Sequence, residues 1–216
     1  MQYAQPPPYN VDRASAALAA ADPVLARLIE QIGPCGLEVR GVDDMFEYLV
    51  RCIVYQQLSG KAAGTIHSRV LALMPNGLSP KGIDVLEDVA LRGAGLSRNK
   101  LAALRDLSRR AAAGEIPDRA TLDSLPDATI IERLTRVRGI GVWTVQMLLL
   151  GGLGRPDVWP STDLGVRQGY QLAYGLDAAP GPKTLDKLVA HWPPYRSVAA
   201  WYLWRLKDTP SPTQAG

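Results

Sequence analysis

Apolar residues recur at helical spacing along most of the chain, and this periodicity excludes most classes of fold. The segment DDMFEYLVRCIVYQQLS shows it clearly, because its apolar residues fall on one helical face. Those residues are Phe46, Leu49, Val50, Ile53, Val54 and Leu58. Alternating, strand-like patterns are almost absent, and GLEVR at 36–40 is the one short candidate. The sequence therefore predicts an all-α protein of roughly nine or ten helices.

Capping residues and glycines mark where the helices begin and end. The segment 79–95 opens with Ser79 as a candidate N-cap and Pro80 in the first turn, and it closes on glycine. The segment from Ser97 to Gly114 follows the same pattern. Further helices are expected at about 163–174, 183–191 and 196–207.

Composition narrows the class of protein further. With 47% apolar and 21% charged residues over 216 positions, the chain fits a soluble globular protein. Its two cysteines, Cys35 and Cys52, are too few for a four-cysteine zinc site or an iron–sulfur cluster, and its two histidines argue against a metal site built from side chains. No apolar run approaches membrane-spanning length. We therefore expect a cytoplasmic protein with no membrane partner.

The stretch RVRGIGVWT, residues 136–144, interrupts two helical segments with a pair of glycines, Gly139 and Gly141. Both glycines allow positive φ and a close approach to the backbone. The helix that follows would point its unsatisfied N–H groups at an anion such as a DNA phosphate. A plain helix–helix corner with glycine caps is the alternative. Arginines add positive charge around the break, at Arg133, Arg136 and Arg138.

The pattern G-I-G-x-x-T at 139–144 resembles the helix-hairpin-helix motif of DNA-binding repair proteins. That resemblance implies that the hairpin grips the DNA backbone, often with a monovalent cation held by hairpin carbonyls. The residues implied in phosphate binding are Arg138, Gly139, Ile140, Gly141, Val142 and Thr144. The carbonyls implied as ligands of a sodium or potassium ion are those of Thr135, Val137 and Ile140. No other cofactor is expected.

Segments outside the hairpin extend the resemblance. RPDVWPSTDLGVRQGY places Asp163 22 residues after Gly141, and it looks like the Gly/Pro-rich loop and aspartate of the helix-hairpin-helix DNA glycosylase superfamily. Three further segments resemble the alkylation-repair branch, the 3-methyladenine DNA glycosylase II (AlkA-like) enzymes; they are IVYQQLSGKAA, GAGLSRNKLAALRDLS and HWPPYRSVAAWYLW. The resemblance covers about residues 40–207. We expect the chain to lack the additional N-terminal α/β domain of the family's larger bacterial member.

The resemblance also implies a domain organisation, with two helical lobes around a DNA-binding cleft. Residues 1–10 are expected to form a mobile, proline-rich lead, and residues 11–216 a single glycosylase domain. Lobe one is predicted at about 46–160, with the hairpin at 134–150, and lobe two at about 11–45 plus 161–208.

Asp163 is the candidate catalytic residue. A carboxylate beside C1′ would stabilise the oxocarbenium-like charge that develops when an N-glycosidic bond breaks. A single carboxylate can suffice when the leaving base is already cationic, as a purine alkylated at N3 or N7 is. The alternative is a structural role, because an Asp in PSTDLG is also a good helix N-cap.

Other implied roles concern the flipped base. The pocket candidates are Trp143, Tyr195, Tyr55 and Met147, and the candidates for the wedge that fills the vacated space are Gln57 and Leu58. Leu58 could instead be a core residue, as could Trp201 and Trp204. Trp143 stands where strand-cleaving members of the superfamily carry a lysine, which predicts a hydrolase without lyase activity.

Several points stay open at the level of sequence. Arg196 could position the Asp163 loop or face DNA, and Lys61 and Lys100 could contact phosphates or be ordinary solvated lysines. The resemblance predicts a monomeric enzyme that removes alkylated bases, of the 3-methyladenine and 7-methylguanine type, from double-stranded DNA during base excision repair. It would be associated with the nucleoid when bound. The alternatives are a glycosylase for uracil or hypoxanthine, and a non-catalytic DNA-binding module.

Overall fold

The computed structural model describes residues 4–208, and within that range the protein contains only helices as regular secondary structure. A π-helical turn, Leu148–Gly152, continues the tenth helix. In chain order the helices are α1 Val11–Ala21, α2 Pro23–Ile32, α3 Met45–Tyr55, α4 Gly60–Ala72, α5 Pro80–Val85, α6 Asp88–Gly93, α7 Arg98–Ala112, α8 Arg119–Ser124, α9 Asp127–Leu134, α10 Val142–Met147, α11 Leu164–Tyr174, α12 Pro182–Leu188 and α13 Arg196–Asp208. The predicted all-α class is confirmed.

The helices outnumber the prediction partly because the segment 79–95 forms two helices instead of one. Leu86 and Glu87 adopt extended backbone angles, with ψ of 139° and 148°, and separate α5 from α6. Elsewhere polar caps set the boundaries, since eight helices begin at a residue whose side chain accepts a hydrogen bond from the first helical turn. Within the described range no helix is long and apolar enough to cross a membrane.

The chain divides into two compact units, and the division falls inside α10. Unit one contains the chain up to Gly41 and from Gln146 onward, and unit two is the continuous segment Val42–Val145. The predicted lobe one, at about 46–160, corresponds to unit two. Residues 146–160 were predicted in that lobe but belong to unit one. The π-helical turn contacts the N-terminal segment, because the Arg40 N–H donates to the Gly151 carbonyl at 2.8 Å.

Within residues 4–10, the part of the predicted lead that the structure describes, the chain contacts the rest of unit one. Gln5 and Val39 exchange two backbone hydrogen bonds of 3.0 and 2.7 Å. Pro7 is buried, and a Cβ on Gly154 would lie 2.6 Å from Cδ of Pro8. Instead of a strand, the segment 36–40 contributes this single bridge.

Close helix packing within unit one depends on Gly169 of α11. A Cβ added there would lie 2.2 Å from the carbonyl oxygen of Leu203 in α13, so no larger residue fits without moving a helix. The core around these helices includes the fully buried side chains of Trp192 and Tyr202. This contact places α11 and its N-terminus against α13.

Candidate functional site

The hairpin predicted between two helices is present in unit two. Helix α9 ends at Leu134 and α10 begins at Val142, and residues 135–141 connect them. The connection is closed by a hydrogen bond of 3.0 Å from the Ile140 N–H to the Val137 carbonyl. The side chains of Val137 and Ile140 are buried and anchor the hairpin to the unit.

The two hairpin glycines differ in their backbone geometry. Gly139 has φ of 80°, and a Cβ there would also lie 3.4 Å from Cβ of Ala103. Gly141 does not use the positive φ that its residue type allows. A Cβ on Gly141 would meet no protein atom within 4 Å, so its exposed backbone is open to another molecule.

One residue implied in phosphate binding does not fit that role. Ile140 is only 3% exposed, and its N–H already donates to Val137, so we assign it to the hairpin's anchor. The remaining residues of that group are exposed or half-buried; they are Arg138, Gly139, Gly141, Val142 and Thr144. No group of three or more His, Cys, Asp or Glu in the described chain could hold a metal ion. The cation site at the hairpin carbonyls stays a prediction.

The side chain of Asp106, in α7, binds the backbone of the hairpin. Its Oδ2 accepts from the Arg138 N–H at 2.9 Å and from Nε of Arg110 at 3.0 Å, and its Oδ1 accepts from Arg109 at 2.5 Å. Burial raises the pKa of Asp106, but these hydrogen bonds outweigh it and the pKa is lowered. The carboxylate therefore stays ionised at neutral pH. The side chain of Arg138 is exposed to solvent.

The wedge candidates lie in a tight turn of unit two, residues 56–59, which we call the wedge turn. Gln57 has φ of 56°, which is uncommon for a residue with a side chain, and it is exposed. Leu58 is 39% exposed, so the alternative that it is a core residue is wrong. Lys100 is not a freely solvated lysine, because its Nζ donates to the Val54 carbonyl at 2.8 Å.

The four pocket candidates divide between the units. Trp143, 47% exposed, and the half-buried Tyr55 lie in unit two, whereas the half-buried Met147 and Tyr195 lie in unit one. The guanidinium of Arg51 covers one face of Tyr55 at 4.1 Å from the ring centroid, and it donates to the Tyr55 hydroxyl at 3.0 Å. Trp143 is thus the more exposed of the two residues.

Asp163 is the N-cap of α11 in unit one, as its local sequence allowed. Its Oδ1 accepts from the Val166 N–H at 2.9 Å and from the indole Nε1 of Trp204 at 2.9 Å. Gly165 makes room for this contact, since a Cβ there would lie 2.9 Å from Cδ1 of Trp204. The carboxylate is therefore held in a single orientation at the positive end of a helix.

Sequence reasoning missed Trp204, for which it offered only a core role. The indole lies on α13, 41 residues from Asp163, and no local pattern announces the contact. Trp201, its neighbour on the same helix, is half-buried, with its ring 3.4 Å from a Cβ placed on Gly36.

The loop before Asp163 is attached to the beginning of α13. Arg196 forms a bidentate ion pair with Asp157, with Nε to Oδ1 at 2.7 Å and NH2 to Oδ2 at 2.8 Å. The hydrogen bonds that Arg196 donates to Asp157 raise the pKa of Arg196. Ser197, fully buried, donates to the Arg155 carbonyl and accepts from the Val158 N–H. The geometry favours the loop-positioning role for Arg196 over the DNA-facing one.

We expect Trp204→Phe to lower the rate of any reaction that uses Asp163 by about 10-fold, because one hydrogen bond to the carboxylate is lost. The ring remains, so the thermal midpoint should change little. Trp201→Phe on the same helix is the matched control, since it removes an indole that does not touch Asp163. Equal rates for the two variants would contradict a role for Trp204.

This chain is similar to known proteins over most of its length. A family described as HhH-GPD superfamily base excision DNA repair protein matches residues 50–194. The chain is 36% identical over 162 residues to DNA-3-methyladenine glycosylase 1 of Schizosaccharomyces pombe, with 74% of this chain and 71% of the relative covered. A solved structure of the 3-methyladenine DNA glycosylase from the same organism, in complex with abasic DNA, is similar at a TM-score of 0.74 and 34% identity, covering 89% of this chain and 95% of that one. A DNA-3-methyladenine glycosidase from Bacillus halodurans is similar at a TM-score of 0.79 and 36% identity, covering 91% and 89%.

Proposed function

The chain belongs to the HhH-GPD superfamily of base excision DNA repair proteins, and from this membership we propose that it is a monofunctional DNA glycosylase for alkylated bases. Its substrates are bases of the 3-methyladenine and 7-methylguanine type in double-stranded DNA. The observation that supports this most is the Asp163 carboxylate, held by Val166 and Trp204 at the beginning of α11. That residue type and setting suit stabilisation of a developing positive charge.

The chemistry requires the damaged nucleotide to leave the duplex, because its glycosidic bond is inaccessible in the base stack. Gln57 or Leu58 then occupies the vacated space. Asp163 stabilises the positive charge that grows at C1′ as the bond breaks, and water completes the hydrolysis. A cationic base departs as a neutral purine and needs no proton donor, which agrees with a mechanism that uses one carboxylate.

We assign recognition of the damaged base to aromatic side chains. The face of Trp143 attracts a positively charged, electron-poor base through stacking and cation–π forces. Tyr195, Tyr55 and Met147 complete the proposed base-binding set. Strand-cleaving members of the superfamily carry a lysine at the position that Trp143 occupies. Because Trp143 cannot form a Schiff base, the abasic strand stays intact.

Binding to undamaged DNA is assigned to the hairpin and is mainly electrostatic. Exposed backbone at Gly139 and Gly141, with the Arg138 side chain beside it, contacts phosphates, so affinity falls steeply as salt rises. A sodium or potassium ion on the carbonyls of Thr135, Val137 and Ile140 would complete this contact. We propose that the enzyme acts as a monomer in the cytoplasm and associates with the nucleoid when bound to DNA.

The test is release of free base from a methylated duplex, followed by chromatography of the products. We expect 3-methyladenine and 7-methylguanine to be released, with no covalent complex after treatment with borohydride, because Trp143 cannot form a Schiff base. Release from uracil- or hypoxanthine-containing duplexes alone would assign the protein to deaminated bases. DNA binding without release from any of these substrates would indicate a non-catalytic module, and a trapped complex would contradict the monofunctional assignment.

A further inference from the structure

The Gln56 side chain connects the wedge turn to the hairpin. Its Nε2 donates to the Gly139 carbonyl at 2.7 Å, across 83 residues of sequence and within unit two. Gln56 is the residue at which the backbone leaves α3, and it directly precedes Gln57. The two parts of unit two assigned to DNA, the wedge turn and the hairpin, therefore share a hydrogen bond through this one side chain.

The wedge turn is otherwise held by hydrogen bonds near its two ends. Lys100 bonds the Val54 carbonyl near the end of α3, and Ser59 caps α4 by accepting from the Ala62 N–H at 3.4 Å. Between these points, Gln57 holds its positive φ and Leu58 remains partly exposed. The turn is thus fixed at both ends, and the side chain of its first residue, Gln56, bonds it to the hairpin.

The hairpin is held at two consecutive residues by side chains from outside it. Asp106 accepts from the Arg138 N–H, and Gln56 donates to the Gly139 carbonyl. These bonds orient the Val137–Arg138 and Gly139–Ile140 peptide groups, and Gly139, which has positive φ, also lies against Ala103. A displacement of the hairpin on binding phosphate would therefore be transmitted to the wedge turn.

We propose that Gln56 is a positioning residue that couples the hairpin's grip on the DNA backbone to the depth at which Gln57 and Leu58 enter the duplex. This proposal rests on the proposed function. Placement matters in such a step, because errors of about 1 Å in a reacting complex can cost about 100-fold in rate. The amide of Gln56 reaches no reacting atom in this scheme and acts only through the wedge turn.

The test compares Gln56→Met with Gln171→Met. Methionine keeps the length of glutamine but has no donor, and Gln171 makes an equivalent bond to the Asp177 carbonyl at 3.1 Å in unit one. Single-turnover release of 7-methylguanine should fall about 5- to 10-fold in Gln56→Met, corresponding to one lost hydrogen bond. Affinity for an undamaged duplex should stay within about 2-fold, since the phosphate contacts remain. The Gln171→Met protein should match the wild type in both.

A second measurement separates positioning from simple loss of structure. Fluorescence of 2-aminopurine beside an abasic analogue reports insertion of the wedge without bond cleavage, and it should decrease in Gln56→Met at saturating protein. In a Gln57→Ala background, Gln56→Met should have a much smaller effect, because the two residues act through one turn. Additive effects of Gln56→Met and Gln57→Ala would overturn the proposal. A lowered thermal midpoint of Gln56→Met with an unchanged single-turnover rate would overturn it too.

Two further outcomes remain decisive. If Gln56→Met does not fold, Gln56→Glu retains the shape and replaces the donor with an acceptor that the Gly139 carbonyl repels, and the same comparisons apply. If the wild type releases no base, the proposed function fails while the 2-aminopurine signal still tests Gln56. An undiminished signal in the variant then rejects the coupling.

Discussion

The Asp163→Asn protein is expected to lose base release by about 100- to 1,000-fold while keeping its fold and its affinity for DNA. Asparagine retains the oxygen that accepts from the Val166 N–H and from Nε1 of Trp204. It is also as good an N-cap as aspartate. The substitution therefore removes the negative charge and little else, and single-turnover release from a methylated duplex measures the effect of that charge.

The matched control for this prediction is Asp118→Asn. Asp118 caps α8 by accepting from the Thr121 N–H at 2.8 Å, so the same chemical change is made at a second N-cap. This variant should release base at the wild-type rate. A fully active Asp163→Asn protein would remove the carboxylate from the mechanism. Loss of DNA binding together with activity would instead point to a structural role for Asp163.

Asp22→Ala is expected to destabilise the protein by about 3 kcal/mol or more. Asp22 is 4% exposed, ends α1 and begins α2. One oxygen caps α2, and the other accepts from the Tyr174 hydroxyl, from Nε1 of Trp192 at 3.0 Å and from Nε2 of His191 at 3.1 Å. Alanine leaves these donors without their acceptor. Urea unfolding measures the loss.

The control variant Asp44→Ala separates the contribution of helix capping from that of the other hydrogen bonds that Asp22 accepts. Asp44 caps α3 through a single hydrogen bond from the Glu47 N–H at 3.0 Å and is exposed, so its loss should cost about 1 kcal/mol. Equal losses for Asp44→Ala and Asp22→Ala would show that the donors around Asp22 contribute nothing to stability.

The Asp22 carboxylate also makes the free energy of unfolding depend on pH. Burial raises the pKa of Asp22, but the hydrogen bonds from Tyr174, Trp192, His191 and the Leu25 N–H outweigh it and lower the pKa from 3.8 to about 2. A depressed native pKa contributes stability above the unfolded pKa that is lost as the pH falls through the native one. The difference in unfolding free energy between wild type and Asp22→Asn should therefore shrink between pH 4 and pH 2. A difference independent of pH would contradict this assignment.

Local patterns were enough to predict many of the helices and the placement of Asp163. Apolar spacing and capping depend on residues three or four positions apart, so α3, α11 and α13 could be located, and an Asp before a helix could be expected to cap it. The same reasoning merged α5 and α6, because the extended angles at Leu86 and Glu87 leave no break in the apolar pattern.

Contacts between distant residues could not be predicted in this way. Trp204 bonds Asp163 across 41 residues, and Gln56 bonds Gly139 across 83. The aromatic spacing on α13 is equally consistent with a core residue and with a partner for a carboxylate. The contacts of residues 4–10 could not be predicted for the same reason, since Val39, which pairs with Gln5, lies far along the chain. Such pairings are decided by tertiary packing and leave no trace in the local sequence.

The division of the chain also has a consequence for its synthesis on the ribosome. Unit two is continuous, so its helices can assemble once Val145 has emerged. The α1–α2 pair of unit one must wait while residues 42–145 are translated, on the order of 5 to 20 s at typical rates of synthesis. During that interval Leu18 and Leu25, buried in the finished protein, have no partners from α11 or α13. The nascent chain is therefore expected to be a client of chaperones that shield exposed apolar helices until α13 is complete.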